Sequence, residues 1–174
     1  MRTVTLILTS FIMCILQIVL APAIAIFGAK IDFVLISVVL TAMYTVKWYP
    51  PVLCAVYSGL IVDIITQHGT YVNTGIYLFL GIAAAIASLI LRNSSFFFAG
   101  VQLLLGVGIK HLLYVFVLYI LRLSENLTLA TFFHGIPSAV YSGAVAIGFY
   151  FIYKGIFALP FMQEKKENEG RFLS

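Results

Sequence analysis

Polar residues are sparse and clustered in this chain, and the apolar runs between the clusters are of membrane length. Six such runs cover about 4–27, 31–46, 52–67, 72–91, 96–121 and 129–157. A helix rising 1.5 Å per residue needs about 20 apolar residues to cross a hydrocarbon core of about 30 Å. The pattern therefore predicts an all-α, polytopic membrane protein with six transmembrane helices. Each boundary has a local cause. Gly28-Ala29-Lys30 makes a short turn, and Asp32 opens the second run. Lys47-Trp48-Tyr49-Pro50-Pro51 ends that run, because paired prolines cannot continue a helix and the aromatic pair suits a membrane interface. Gln67-His68-Gly69-Thr70, Arg92-Asn93-Ser94-Ser95 and Arg122-Leu123-Ser124-Glu125-Asn126 supply the later turns. Pro22 lies near the far end of the first run, and Pro137 predicts a kink or break near the start of the sixth. The second and third runs are short, which fits either two true crossings or a re-entrant hairpin; two crossings are expected, since each run is uninterrupted and has its own polar turn. Residues 1–162 then form one transmembrane domain, and 163–174 a charged, disordered tail.

Composition agrees with this pattern. Of 174 residues, 63% are hydrophobic and 9% charged, against about 25% charged in a soluble domain. The net charge of +4 sits at helix ends and in the tail, with no basic stripe of the kind that nucleic acid requires. The first run is longer than the roughly 7–15 residues of a signal-peptide core, so it reads as an uncleaved span despite Ala21-Pro22-Ala23-Ile24-Ala25. Six crossings put both termini on one side, with Arg2, Lys47, Arg92, Lys154, Lys165, Lys166 and Arg171; only Lys30 and Arg122 fall on the other. This bias places both termini in the cytoplasm. Asp32, His68 and Glu125 are then expected on the outer side.

Two charges fall deep inside apolar runs, Asp63 and Lys110. Each costs about 2.5–3.5 kcal/mol to insert and requires a partner, a wet cavity or neutralisation. Ala55, Gly59, Asp63 and Gln67 are four apart and share a helix face, so the carboxylate lies on a small, polar stripe that must face protein or water. Gly106, Lys110 and Tyr114 form a similar row. The two charges lie at similar heights on helices of the same direction. They either pair, locking spans three and five together, or face separate crevices, or Lys110 is neutral; pairing is the sharper expectation. Small residues also recur at four-residue spacing as Gly135/Ala139/Gly143, Ser138/Ser142/Ala146, Gly81/Ala85, Ala84/Ser88 and Ala21/Ala25/Ala29, which reads as close helix packing. Cys14 and Cys54 read as small buried hydrophobes. His68, His111 and His134 show no metal-ligand spacing, and HExxH, GxSxG and phosphate-binding glycine loops are absent from the sequence. No catalytic residue, metal ligand or cofactor is assigned.

The stretch from Lys30 to Arg92, about a third of the chain, resembles the bacterial rod shape-determining MreD family. The resemblance is carried by Asp32 opening the second span, Gly59-Leu60-Ile61-Val62-Asp63 as the Gly-Leu-x-x-Asp motif, Gly69 in the polar turn His68-Gly69-Thr70, and Gly81. Ile31 stands where the family usually has proline, and Gly69 is displaced relative to Asp63. The resemblance implies a non-enzymatic scaffold of the bacterial cytoplasmic membrane. Such a scaffold works with the bitopic protein MreC, alongside MreB, RodA and a transpeptidase, in lateral peptidoglycan synthesis. Asp63, Lys110, Gly59, Asp32, Gln67 and Gly69 are the expected structural or partner-binding residues. The family fold is similar to the S subunit of energy-coupling-factor vitamin transporters, which supplies the alternative. An S subunit would hold a vitamin near the outer face, with His68, Asn73 and His134 as candidates and Ala21/Ala25/Ala29 as the docking row.

Overall fold

A computed structural model describes residues 2–26, 29–45, 47–66, 71–90, 96–120, 135–160 and 162. Gln67, His68, Gly69, His134, residues 91–95 and 121–134, and the tail 163–174 lie outside the described residues. Among the described residues, six helices follow one another along the chain. The first, α1, runs as an α-helix over Arg2–Ile15, a π-helical turn over Leu16–Leu20 and a last α-helical turn over Ala21–Ala23. Then follow α2 (Phe33–Tyr44), α3 (Tyr49–Thr66), α4 (Val72–Ile90), α5 (Phe96–Ile120) and α6 (Gly135–Ala158). Among the described residues, five helical stretches are long and apolar enough to cross a membrane: Val4–Ala23, Tyr49–Thr66, Val72–Ile90, Phe97–Val117 and Ile136–Ala158. Their outward faces carry exposed apolar side chains such as Val4, Ile64, Phe116 and Phe151. The chain is a multi-pass, helical membrane protein.

The second span departs from expectation. Its helix has 12 residues, roughly 18 Å at 1.5 Å per residue, and does not match the hydrocarbon thickness. It is the centre of the bundle, packed against α1, α3, α4, α5 and α6. Every residue from Phe33 to Ala42 is buried. Uniform apolar character all round is what a fully enclosed helix requires. The described residues between α1 and α2, 24–26 and 29–32, are non-helical, and Ile26 and Ala29 exchange backbone hydrogen bonds, Ile26 N to Ala29 O at 3.2 Å and Ala29 N to Ile26 O at 2.9 Å. The Ala21/Ala25/Ala29 spacing therefore forms no helix row, because α1 ends at Ala23.

The boundaries have visible causes. Pro22 lacks an N–H, and in a regular helix its ring would meet the carbonyl four residues earlier. The chain widens to a π-turn just before it, with Ala21 N–H bonded to Leu16 O. Pro50 and Pro51 stand in the first turn of α3 rather than before it, where proline is tolerated because those N–H groups have no helical acceptor. Pro137 lies in the first described turn of α6.

Small residues set the helix spacing, as their four-residue recurrence predicts. A Cβ on Gly59 would stand 2.7 Å from Thr74 Cα, and one on Gly81 2.7 Å from Ala55 Cβ. The Ala55–Gly59–Asp63 stripe thus packs on α4. On the other side of α2, Gly106 receives Leu35, whose Cδ2 would be 3.1 Å from an added Cβ. The far end of α2 is held by aromatics of α6: Tyr44 stacks on Phe157 with centroids 5.2 Å apart, and Tyr153 donates to Ser37 Oγ at 2.7 Å. Gly59→Ala should push the α4 backbone away and destabilise the bundle by about 1–3 kcal/mol. Gly75→Ala, with nothing within 4 Å of the new methyl, should be neutral or stabilising by up to about 1 kcal/mol. Melting temperatures of the two variants in detergent measure the difference.

Candidate functional site

The start of α2 lies inside the bundle, so its first N–H groups cannot be left to water. Five side chains from three elements take up this segment's backbone groups. Asp32 is the N-cap, and its Oδ1 accepts from Leu35 N at 2.9 Å. Gln17 Oε1, from the π-turn of α1, accepts from Phe33 N at 2.7 Å. Ser142 Oγ accepts from Asp32 N at 2.9 Å, and Ser138 Oγ from Lys30 N at 3.2 Å. Tyr141, on the same face of α6, donates its hydroxyl to Ile24 O at 3.0 Å. The serine spacing that reads as small-residue packing also supplies hydroxyl acceptors for the non-helical strand.

Capping with a carboxylate leaves a buried charge, since Asp32 is only 4% exposed. Lys110 forms its salt bridge. The Lys110 ammonium also donates to the Tyr77 hydroxyl at 2.7 Å and lies 4.6 Å from the centroid of that ring. Tyr77 in turn donates to the Asp32 carboxylate, 3.1 Å from Oδ1 and 3.3 Å from Oδ2. Asp32, Tyr77 and Lys110 close a three-membered polar ring between α2, α4 and α5.

The expected Asp63–Lys110 pair is not formed, and Asp32 is not an outer-surface residue. Asp63 is buried on the stripe predicted for it, facing the start of α4. Its Oδ1 accepts from Asn73 N at 3.2 Å and Asn73 Nδ2 at 2.8 Å; its Oδ2 accepts from Thr74 N at 2.7 Å and Thr74 Oγ1 at 2.6 Å. These two N–H groups belong to the unpaired first turn of α4, whose dipole also favours an anion there. Asp63 and Lys110 are each about 14 residues into their helices, roughly 21 Å, yet they do not meet. What separates them is position around the bundle: α3 packs on α1, α2 and α4, whereas α5 packs on α2, α4 and α6.

Of the six expected site residues, the structure joins Asp32 to Lys110 and places Gly59 beside Asp63 on the α3–α4 contact. Gln67 and Gly69 lie outside the described residues. Gln17, Tyr77, Ser138 and Ser142 complete the site. Gln17 had a visible signal, as an isolated amide in an apolar run five residues before a proline. A cavity of about 420 Å³ opens beside this polar layer, bordered by Gln17, Lys30, Asp32, Tyr77, Lys110 and Tyr114 among others. Among the described residues, no group of three or more His, Cys, Asp or Glu side chains is placed to hold a metal ion.

Removing one partner of a buried pair typically costs about 3–5 kcal/mol; the 21% exposure of the Lys110 side chain places this one toward the lower end. Asp32→Asn keeps a capping oxygen but removes the charge. Its loss and that of Lys110→Met should overlap strongly in the double variant, whereas Asp63→Asn and Lys110→Met should add to within about 0.5 kcal/mol. Double-mutant cycles on melting free energy check both. No family model, curated protein or solved structure matches the chain, and its site is defined by this geometry alone.

Proposed function

We propose that the chain is a non-catalytic scaffold of the MreD kind. In this reading it resides in the bacterial cytoplasmic membrane with both termini in the cytoplasm. It pairs with an MreC-like bitopic protein and works in the elongation complex with MreB, RodA and a transpeptidase. One observation carries the reading. Asp32, Gly59, Asp63 and Gly81, four of the positions that bear the family resemblance, lie where helices are fastened together. Asp32 caps the central helix and binds Lys110. Asp63 caps α4 from α3. Gly59 and Gly81 admit the closest approaches between those two helices. A motif whose members fix helix positions suits a protein that acts by presenting a rigid apolar surface to partner segments. The basic side at Lys47, Lys154 and the tail supports the cytoplasmic assignment of the termini, and Lys165-Lys166 would lie on anionic lipid at about 1 kcal/mol per basic residue.

The competing S-subunit reading drew on His68, Asn73 and His134. Asn73 commits both its backbone and side-chain N–H to Asp63, which makes it a helix fastener first. Depletion of the protein in a rod-shaped host decides between the two. Rounding of the cells, with an MreC-like protein co-purifying with the tagged chain, is the expected result. Unchanged rods with a new vitamin requirement, and purified protein carrying riboflavin, thiamine or biotin, would replace this reading with the transporter.

A further inference from the structure

Hydrogen-bonding capacity around the cavity is unequally used. The carboxylates and the Gln17 amide oxygen are committed to the protein. Asp32 takes Leu35 N, Tyr77 and Lys110, and Gln17 Oε1 takes Phe33 N. Asp63, behind Asn73, takes four donors. The donors are in surplus. An ammonium has three N–H groups, and Lys110 directs two of them at Asp32 and Tyr77. Gln17 keeps its amide N–H pair uncommitted among the described residues, and so does Tyr114 its hydroxyl. Lys110 is not sealed off, since 21% of its side-chain surface remains accessible although it lies in the middle of α5.

Charge points the same way. Lys30, Lys110 and Asp32 border the cavity, two cations against one anion. The first turns of α2 and α4 also face this layer, but Asp32 and Asp63 already occupy them, so a ligand would be held by side-chain donors. The volume of about 420 Å³ lies within the roughly 300–1,000 Å³ of small-molecule sites, and Ile31, Val62 and Val107 give it an apolar wall.

We propose that this cavity binds an oxyanion, a phosphate or carboxylate carried by a lipid headgroup or by a small soluble acid, with Lys110, Gln17 and Tyr114 as donors. The site goes beyond the scaffold reading and holds whether or not an MreC-like partner binds. The full chain, purified in an uncharged maltoside detergent, is melted against sodium phosphate, sodium succinate, monomeric dihexanoyl phosphatidylglycerol and choline chloride. A saturable rise in melting temperature with an oxyanion probe, and none with choline, is expected. A rise with phosphate or succinate identifies a soluble acid; a rise with the phosphatidylglycerol alone identifies a headgroup. The variant carrying Lys30→Gln and Tyr114→Phe leaves the Asp32–Tyr77–Lys110 ring intact and should weaken the apparent Kd about tenfold, the effect of losing one charge-assisted hydrogen bond. The proposal is overturned if no oxyanion probe moves the wild-type melting temperature, if choline moves it equally, or if the folded variant keeps the same Kd.

Discussion

A helix that starts within an apolar bundle presents bare N–H groups to surroundings that hold little water, and each unpaired group costs several kcal/mol. That constraint organises this protein. Because α2 begins at Phe33 with its first turn buried, the segment before it must be provided with acceptors from elsewhere. Gln17, Ser138 and Ser142 supply neutral ones, and Asp32 supplies a charged one. The charge then requires a cation, which brings in Lys110, and the two are joined by Tyr77. Each polar group in the layer is the consequence of the one before it.

Asp63 meets the same problem at the next helix without a cation. Four donors from Asn73 and Thr74 surround its carboxylate, and the positive end of α4 adds to them. Reaching those donors requires the α3 and α4 backbones to be close, and Gly59 permits this by having no side chain opposite Thr74. Glycine and aspartate one turn apart are therefore one device, in which the first allows the approach and the second uses it.

Much of the architecture was legible from the chain. Runs 72–91 and 96–121 correspond closely to α4 and α5, because long uninterrupted apolar runs define those helices. The stripes around Asp63 and Lys110 do face protein, since a charge beside lipid is too costly. Azimuth was not legible. Two charges at one height on parallel helices look like partners until the helix between them is placed, and α2 stands there. Asp32 was harder still. At the edge of an apolar run it reads as a surface cap, and its burial depends on Ser138 and Ser142, more than a hundred residues away. The length of α2 was hidden for a related reason: Ile31 and Ala29 are apolar and buried like helix residues, yet they lie outside the helix.

That long separation bears on how the chain is made. Residues 24–32 leave the ribosome early, but the hydroxyls that satisfy Lys30 N and Asp32 N arrive 108 and 110 residues later. Until α6 emerges, the entry to the central helix has no such acceptors, and water or the insertion machinery must solvate it. Closure of the helical bundle is thus deferred until α6 has been made, and a nascent protein stalled before that helix would be recognisable to quality control by that one unfinished seam.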